Sequence, residues 1–298
     1  MSARSTSSEA VTGILNIDKP VGPTSHDVVR KLRWLLDTKR VGHAGTLDPL
    51  ASGVLVIASG RATRLLEYVV GQRKGYLAEI HLGQTSTTYD GEGEISAAQA
   101  VAIGLAEIEA ALSTFRGTIQ QIPPMHSAVK QDGQPLYKLA RKGQEVERAA
   151  RTVTIYQLEI VQWESPKLKL RIVCSAGTYI RSLAHDLGQS LGCGGYLSSL
   201  QRTAVGAFTI ADAISPNSLT RDNVADFVQP PDRAVAHLPR LDARAAAADA
   251  LVNGRRIRRQ EEDPDADVAR AYGPSGEFIG IVVARDAEWK PHKIFYQP

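Results

Sequence analysis

The sequence predicts an α+β fold, a mixed, largely antiparallel sheet with flanking helices and a small additional C-terminal domain. Three observations lead to it. Strand-like segments recur along the chain at 13–20, 54–58, 76–82, 153–163 and 168–174, the last two close enough to form a hairpin. Stretches between them carry apolar residues at helical spacing. The composition also shifts after about Ile214, where Ser215-Pro216 and Gln229-Pro-Pro-Asp232 mark a linker ahead of a compact α+β unit.

Taken in order, Gly13–Pro20 is a short strand stopped by Pro20 and Gly22. Thr24 or Ser25 can cap the next helix, whose buried stripe is Val28, Val29, Leu32, Leu35 and Leu36. A Gly-rich loop, Gly42 to Gly53, leads into the apolar strand Val54–Ala58, followed by a short helix over 62–70. Residues 76–82 alternate, with Leu77 and Glu79 facing away from Ala78 and Ile80. After a polar loop, Ala97–Phe115 reads as a helix, and Ile122-Pro-Pro-Met125 breaks regular structure. The hairpin turns near Ser165-Pro166. The next helix runs from Tyr179 to Leu191, with Thr178 as N-cap and Gly192 as C′ residue. The C-terminal unit reads as a helix over 242–251 ended by Gly254, then strands near 268–272, 278–284 and 293–296.

Composition narrows the function classes. In 298 residues, 43% hydrophobic content suffices for a core. Residues 1–11 are small and polar and read as a flexible tail. There is neither a secretory segment nor an apolar run long enough to span a membrane, so a cytoplasmic protein is expected. Cys174 and Cys193 lack CxxC spacing, which points to neither a metal site nor a disulfide; both are expected to be inert packing residues. The net charge of +3 is mild, but its placement is not uniform. Lys130, Lys138, Arg141, Lys142, Arg148 and Arg151 cluster near Tyr137, and Arg255, Arg256, Arg258 and Arg259 form a second group. Such clusters suit a phosphate backbone. An acidic run, Glu261 to Asp267, stands ready to mask the second one.

The most unusual segment is Gly42-His-Ala-Gly-Thr-Leu-Asp-Pro-Leu-Ala-Ser-Gly53, which its residues alone fit either as a tight structural turn whose aspartate caps backbone amides or as a site of chemistry. Its three glycines permit positive φ and close approach to a ligand, and Pro49 fixes the turn after Asp48. The single carboxylate is therefore displayed on a rigid loop before a buried strand. This block resembles the signature of the TruB family of tRNA pseudouridine synthases, shared closely with the Cbf5/dyskerin enzymes. Further stretches agree in the family's order: Asn16–Pro20, Lys74-Gly-Tyr76, Leu82–Thr85 with Asp90-Gly91, Ile122–Lys130, Gly177–Ser182 and Leu197–Thr203. The resemblance spans about residues 12–210.

The resemblance implies roles residue by residue. Asp48 matches the nucleophile, Tyr76 the tyrosine that stacks on the target base and assists proton transfer, and Arg181 the arginine that pairs with the aspartate. His43 matches the histidine that takes the flipped nucleotide's place in the RNA. Tyr179 and Leu200 match residues lining the uracil pocket, and Lys19-Pro20 a motif of structural role. The implied reaction turns a uridine of the tRNA T-loop, position 55 in tRNA numbering, into pseudouridine. The C1′–N1 bond breaks, the base rotates and a C1′–C5 bond forms, which requires no cofactor and no metal. An arginine beside Asp48 is expected to keep it anionic. Attack at C1′, attack at C6 and a glycal route all remain open.

The implied organisation is a catalytic domain over 12–235, with a basic RNA-contacting insertion at 130–151, and a PUA-like domain over 239–298. The expected partner is the T-arm and elbow of tRNA, with no membrane, no obligatory protein partner and a monomeric state. Three rivals stand beside this reading: a tRNA-binding or tRNA-folding chaperone with secondary catalysis, a guide-RNA-dependent Cbf5-like synthase, and a hydrolytic uracil glycosylase that would release free base.

Overall fold

A computed structural model describes residues 11–296 apart from 128–129, 132, 141–142 and 145. The expected tail, but for Val11, and Arg141 and Lys142 of the basic stretch lie outside the described residues. So do the side chains of Lys130, Tyr137 and Lys138.

The chain begins with β1 (Gly13–Lys19), α1 (Ser25–Leu35), β2 (Val41–His43) and β3 (Ala51–Ser59). A 3-10 turn and α2 (Leu66–Val70) precede β4 (Lys74–Leu82), α3 (Leu105–Ser113) and β5 (Gly117–Gln121). The basic stretch holds a small hairpin of β6 (Lys130–Gln131) and β7 (Gln134–Pro135) with α4 (Leu136–Ala140). Then come β8 (Arg151–Glu164), β9 (Lys167–Cys174), α5 (Ile180–Ser190), β10 (Gly195–Val205) and β11 (Phe208–Thr209). The C-terminal unit comprises β12 (Arg240–Asp242), α6 (Ala245–Val252), β13 (Ile257–Arg258), β14 (Val268–Tyr272), β15 (Phe278–Arg285) and β16 (Glu288–Ile294).

The main sheet runs in the order β1-β3-β10-β4-β9-β8-β5, with β2 added on β3 and β11 on β10. Its pairings are antiparallel except β3 with β10, which is parallel. That seam brings the end of the Gly-rich loop beside β10. One face of the sheet is covered by α1, α3 and α5 through Leu32, Leu112, Leu183 and Leu187. The other face packs Val54 and Val56 against Leu65, Val69, Phe208 and Val235. The second sheet, ordered β12-β14-β15-β16-β13, has its own core around Trp289 and Leu251. It is also fastened to the first. Ile281 joins the far-face core of the main sheet, Arg61 and Arg64 donate to the Ile294 carbonyl at 3.0 and 3.2 Å, and Lys293 pairs with Glu67.

Two local expectations are corrected, and a third, left open between two residues, is decided. The helix expected over 97–115 starts only at Leu105. Glu107 accepts from the Gly104 amide at 2.7 Å and closes the helix there, while residues 96–99 run extended and bond to Thr85 and Gly83. The N-cap of α5 is Tyr179, not Thr178, whose hydroxyl instead donates to the Ser175 carbonyl. Gln121, arriving on β5, accepts from the Tyr179 amide at 2.7 Å and donates to its carbonyl at 2.9 Å. At α1, Thr24 is the cap and forms a capping box with Asp27; Ser25 is free for another task.

Helix α5 can reach β10 only because Gly188 has no side chain. A Cβ there would sit 2.1 Å from the Gly195 amide nitrogen. Gly188→Ala is expected to destabilise the protein by about 1–3 kcal/mol, the usual cost of overpacking. A thermal melt would show this as a lowered Tm, and an unchanged Tm would mean the contact is slack.

Candidate active site

The loop that carries Asp48 is tied down from three strands and a helix. Ala44 donates to the Val56 carbonyl at 2.9 Å and so closes the loop's first half onto β3. The Ser25 hydroxyl, at the start of α1, accepts from the Leu47 amide at 2.8 Å and donates to its carbonyl at 3.0 Å. Lys19, fully buried at the end of β1, donates from Nζ to the Ala51 carbonyl at 2.6 Å and to Pro20 at 2.8 Å. Arg202, on β10, donates from Nε to the Val54 carbonyl at 2.7 Å and from Nη2 to Gly45 at 3.1 Å. A loop with so many fixed carbonyls presents its carboxylate in one place.

Asp48 lines a cavity of about 640 Å³ whose wall also includes Tyr76, Tyr179, Arg181, Leu200, Arg202, Lys74 and Glu92. Five of the six residues singled out from the sequence thus meet in one space. Tyr76 comes from β4, Leu200 from β10, and Tyr179 and Arg181 from the start of α5. His43 is not in the wall. It lies on β2, half-buried, with Ile57 of β3 as its register partner. Burial and the nearby positive charges of Arg202 and His26 lower its pKa, so the imidazole is held neutral.

Arg181 is 7% exposed and sits between two carboxylates. Its Nη2 lies 3.1 Å from Asp48 Oδ2 and its Nη1 lies 3.3 Å from Asp90 Oδ2. Nη2 also donates to the His126 carbonyl at 2.7 Å. Asp90 is buried, and its Oδ1 accepts from the Thr88 hydroxyl at 2.5 Å and from the Glu92 amide at 3.1 Å. Its loop is carried past β10 by backbone bonds from Leu197 to Tyr89 and from Gly91 to Leu197. Tyr89 itself adopts a φ of 65° and stacks on His185 of α5 with ring centroids 3.9 Å apart. The same helix that supplies Arg181 therefore also steadies the loop of its second partner.

The charge state of Asp48 is set by opposing influences. Arg181 does pull the Asp48 carboxyl down, but burial pushes it up more strongly and Asp90 adds to that push, so the net shift is upward from 3.8. Water still reaches the carboxyl through the cavity mouth, where its side chain keeps 40% of its surface. Glu92 is shifted upward too, by burial and by its acidic neighbours. Burial and Arg202 push Lys74, also in the cavity lining, down to about 8. The buried Cys174 thiol is pushed up to about 11 by its apolar surroundings and stays protonated at neutral pH. Among the described residues no group of His, Cys, Asp and Glu is arranged to hold a metal ion, and no helix is long and apolar enough to cross a membrane.

Residues 33–180 match the family model described as TruB family pseudouridylate synthase, N-terminal domain. Residues 181–236 match the tRNA pseudouridylate synthase B C-terminal domain, and 238–295 the C-terminal region of tRNA pseudouridine synthase II. The chain belongs to the TruB family. Relatives named tRNA pseudouridine synthase B include those of Dehalococcoides mccartyi, 46% identical with 95% of this chain and 96% of the relative covered, and Clostridium kluyveri, 43% identical with 95% and 99% covered. Among solved structures, a Cbf5–Nop10–Gar1 complex matches with a TM-score of 0.75 at 28% identity, over 97% of this chain and 86% of that one.

Asp90, Arg202, Lys74 and Ser25 were not singled out from the sequence as site residues. Asp90, Lys74 and Arg202 do fall within the stretches that resemble the TruB family, so a signal existed, but only the fold shows what they face.

A reaction that needs Asp48 ionised slows as pH falls through its pKa, which lies above 3.8. Asp90→Asn removes a charge that pushes this pKa up, so the acidic limb of the single-turnover pH–rate profile is expected to move to lower pH. Arg181→Met removes the charge that pulls it down, so the limb moves to higher pH. Both variants are expected to lose roughly a hundredfold in rate at the optimum through misplacement of Asp48.

Proposed function

We propose that this TruB-family protein isomerises the T-loop uridine of tRNA, position 55, to pseudouridine, acting as a monomer without guide RNA. The observation that carries the reading is the Asp48 carboxylate, 3.1 Å from Arg181, on the wall of a cavity shared with Tyr76, Tyr179 and Leu200. Its volume lies within the range of about 300–1,000 Å³ usual for small-molecule sites, ample for one extruded base. A uridine inside folded tRNA is inaccessible until it is flipped out.

In this reading Asp48 stabilises or traps positive charge as the C1′–N1 bond breaks, as a carboxylate does in retaining glycosidases. Arg181 keeps Asp48 oriented and, against the upward push of burial, available as an anion. Tyr76 and Leu200 confine the base while it rotates so that C5 replaces N1 opposite C1′; stacking on an aromatic is worth about 1–3 kcal/mol per base. Tyr179 closes the wall at the start of α5. His43, neutral and outside the cavity, is suited to fill the vacated stack rather than to bind phosphate. The bonds broken and formed balance within the uridine itself, so no redox group or second substrate enters. The C-terminal unit, with its exposed arginines, serves the acceptor arm. Part of its acidic run is structural: Asp263 accepts from the Trp289 indole at 2.8 Å and from the Gln260 amide at 2.9 Å.

The likeness to a Cbf5 complex favours a second reading, in which partner proteins and a guide are required. The relatives named tRNA pseudouridine synthase B, more similar and matched end to end, favour the stand-alone reading. Purified protein and a bare T-arm hairpin separate the two, since only a stand-alone enzyme modifies it.

The decisive assay uses tRNA transcript tritiated at uracil C5. Wild type is expected to release tritium to water without free uracil, and Asp48→Asn to release none while binding tRNA with nearly unchanged affinity. Free uracil would mean a glycosylase. Binding without release by wild type would leave an RNA-binding role in place of the enzymatic one. Because the folded-state pKa of Asp48 is raised, its ionised form costs stability at neutral pH, a cost relieved only as pH falls through that pKa. Asp48→Asn is therefore expected to hold or raise Tm at neutral pH, and a clear drop would show that the carboxylate is a net structural tie.

A further inference from the structure

Ser127 lines the cavity and is 3% exposed, yet its Oγ has no hydrogen-bond partner among the described residues. Among those residues it is alone in lining the cavity with a buried polar side-chain atom left in this state. A buried hydroxyl without a partner costs stability, and folded proteins seldom keep one without a use. The backbone leading to it is, by contrast, well held. Gln121 exchanges hydrogen bonds with Tyr179, the Ser182 hydroxyl donates to the Ile122 carbonyl at 2.8 Å, and Arg181 Nη2 donates to the His126 carbonyl at 2.7 Å. That same Nη2 lies 3.1 Å from Asp48 Oδ2. The residue before Ser127 is therefore clamped by the arginine that pairs with the nucleophile candidate.

A hydroxyl donates one hydrogen bond, can accept others and carries no charge. On the wall of a cavity that receives an extruded uridine, it suits a carbonyl of the base. Its place beside Arg181 sets it near Asp48, the end of the cavity to which C1′ must come. The uracil acceptor nearest to the breaking bond is O2, on the carbon next to N1. When C1′–N1 breaks, the electron pair stays with the base, and O2 and O4 share the negative charge while Asp48 meets the positive charge at C1′. Turning the base about its N3–C6 axis exchanges N1 with C5 and O2 with O4. One fixed donor can therefore serve O2 before the turn and O4 after it. A serine χ1 has staggered alternatives, so the hydroxyl can swing to the base without moving the backbone that Arg181 holds.

We propose that Ser127 is a catalytic residue of this site, donating a hydrogen bond to uracil O2 as the glycosidic bond breaks. The proposal rests on the pseudouridine synthase reading above. Ser127 keeps its own proton throughout and supplies a preorganised dipole where charge develops. Tyr76 and Leu200 confine the base; Ser127 holds its polar edge. The hydroxyl that is unsatisfied in the protein by itself gains its partner only with the substrate.

The test measures single-turnover conversion of T-arm RNA carrying uridine or 2-thiouridine at the target position, by wild type and by Ser127→Ala, together with the Tm of both proteins. Ser127→Ala is expected to convert the uridine RNA roughly 10–100-fold more slowly, the effect of one hydrogen bond to a group gaining charge. Its Tm is expected to equal or exceed that of wild type, because no partner inside the protein is lost. Sulfur is a weak hydrogen-bond acceptor, so 2-thiouridine is expected to slow wild type too. In Ser127→Ala it is expected to add less than about threefold, since residue and atom act as one pair. A thio effect of equal size in the two proteins, or full activity of Ser127→Ala, would overturn the proposal. So would a clearly lowered Tm or a failure of Ser127→Ala to fold, either of which would make the hydroxyl a structural tie. Wild-type conversion of the uridine RNA is the control, and its absence tells against the synthase reading rather than against Ser127.

Discussion

The parallel seam between β3 and β10 is the constraint on which the site depends. Everywhere else in the main sheet neighbouring strands run antiparallel, and a tight turn can join such strands. At this seam the strand that follows the Asp48 loop lies beside one that arrives some 140 residues later. Leu200 faces Ala51 and Arg202 faces Gly53 across it, while the other edge of β10 sets Leu200 against Ala78 and Arg202 against Tyr76. A nucleophile candidate, an aromatic platform and a buried cation are thereby fixed by one strand register. A slip of one residue would turn Leu200 and Arg202 to the opposite faces of the sheet and dismantle the cavity.

Around that seam the site gathers charges of both signs. Asp48 and Asp90 pair with Arg181, and Glu92, Arg202 and Lys74 also line the cavity that Asp48 and Arg181 share. Asp48, Glu92, Lys74 and Arg202 are each shifted toward the uncharged form chiefly by burial. The expectation that an arginine keeps Asp48 anionic thus meets an opposing push from burial and from Asp90. The second acid, Asp90, was not part of that expectation. Such poised groups are characteristic of sites where charge moves during a reaction.

How much of this was legible in the sequence follows from what sets each feature. Strands β1, β3, β4, β8 and β9 and the stripe of α1 are local patterns of apolar residues, and they appear where the periodicity places them, whereas β2, β5, β10 and β11 were not read as strands. The Gly42–Gly53 block is legible as chemistry through its resemblance to the TruB signature, because three glycines, a proline and one carboxylate by themselves suit a tight structural turn equally well. The shortened α3 and the true cap of α5 were not legible. The first is decided by a Glu107–Gly104 contact that competes with helix propensity, and the second by Gln121, 58 residues away. Asp90 and Arg202 are ordinary charges in the sequence, and only long-range pairing shows that they face the loop.

The attachment of the C-terminal unit carries a different consequence. Ile281 lies in the core beneath the far face of the main sheet, and the last strand receives side chains from Arg61 and Arg64. Tyr272 donates its hydroxyl proton to Asp232 at 2.7 Å, across the point where the composition suggested a linker. Residues 230–240 therefore do not behave as a hinge. Cutting the chain there would strip a greasy patch bare on both pieces, and neither piece would be expected to stay soluble by itself. Two units that the composition sets apart thus share a buried contact at Ile281 as well as polar ties.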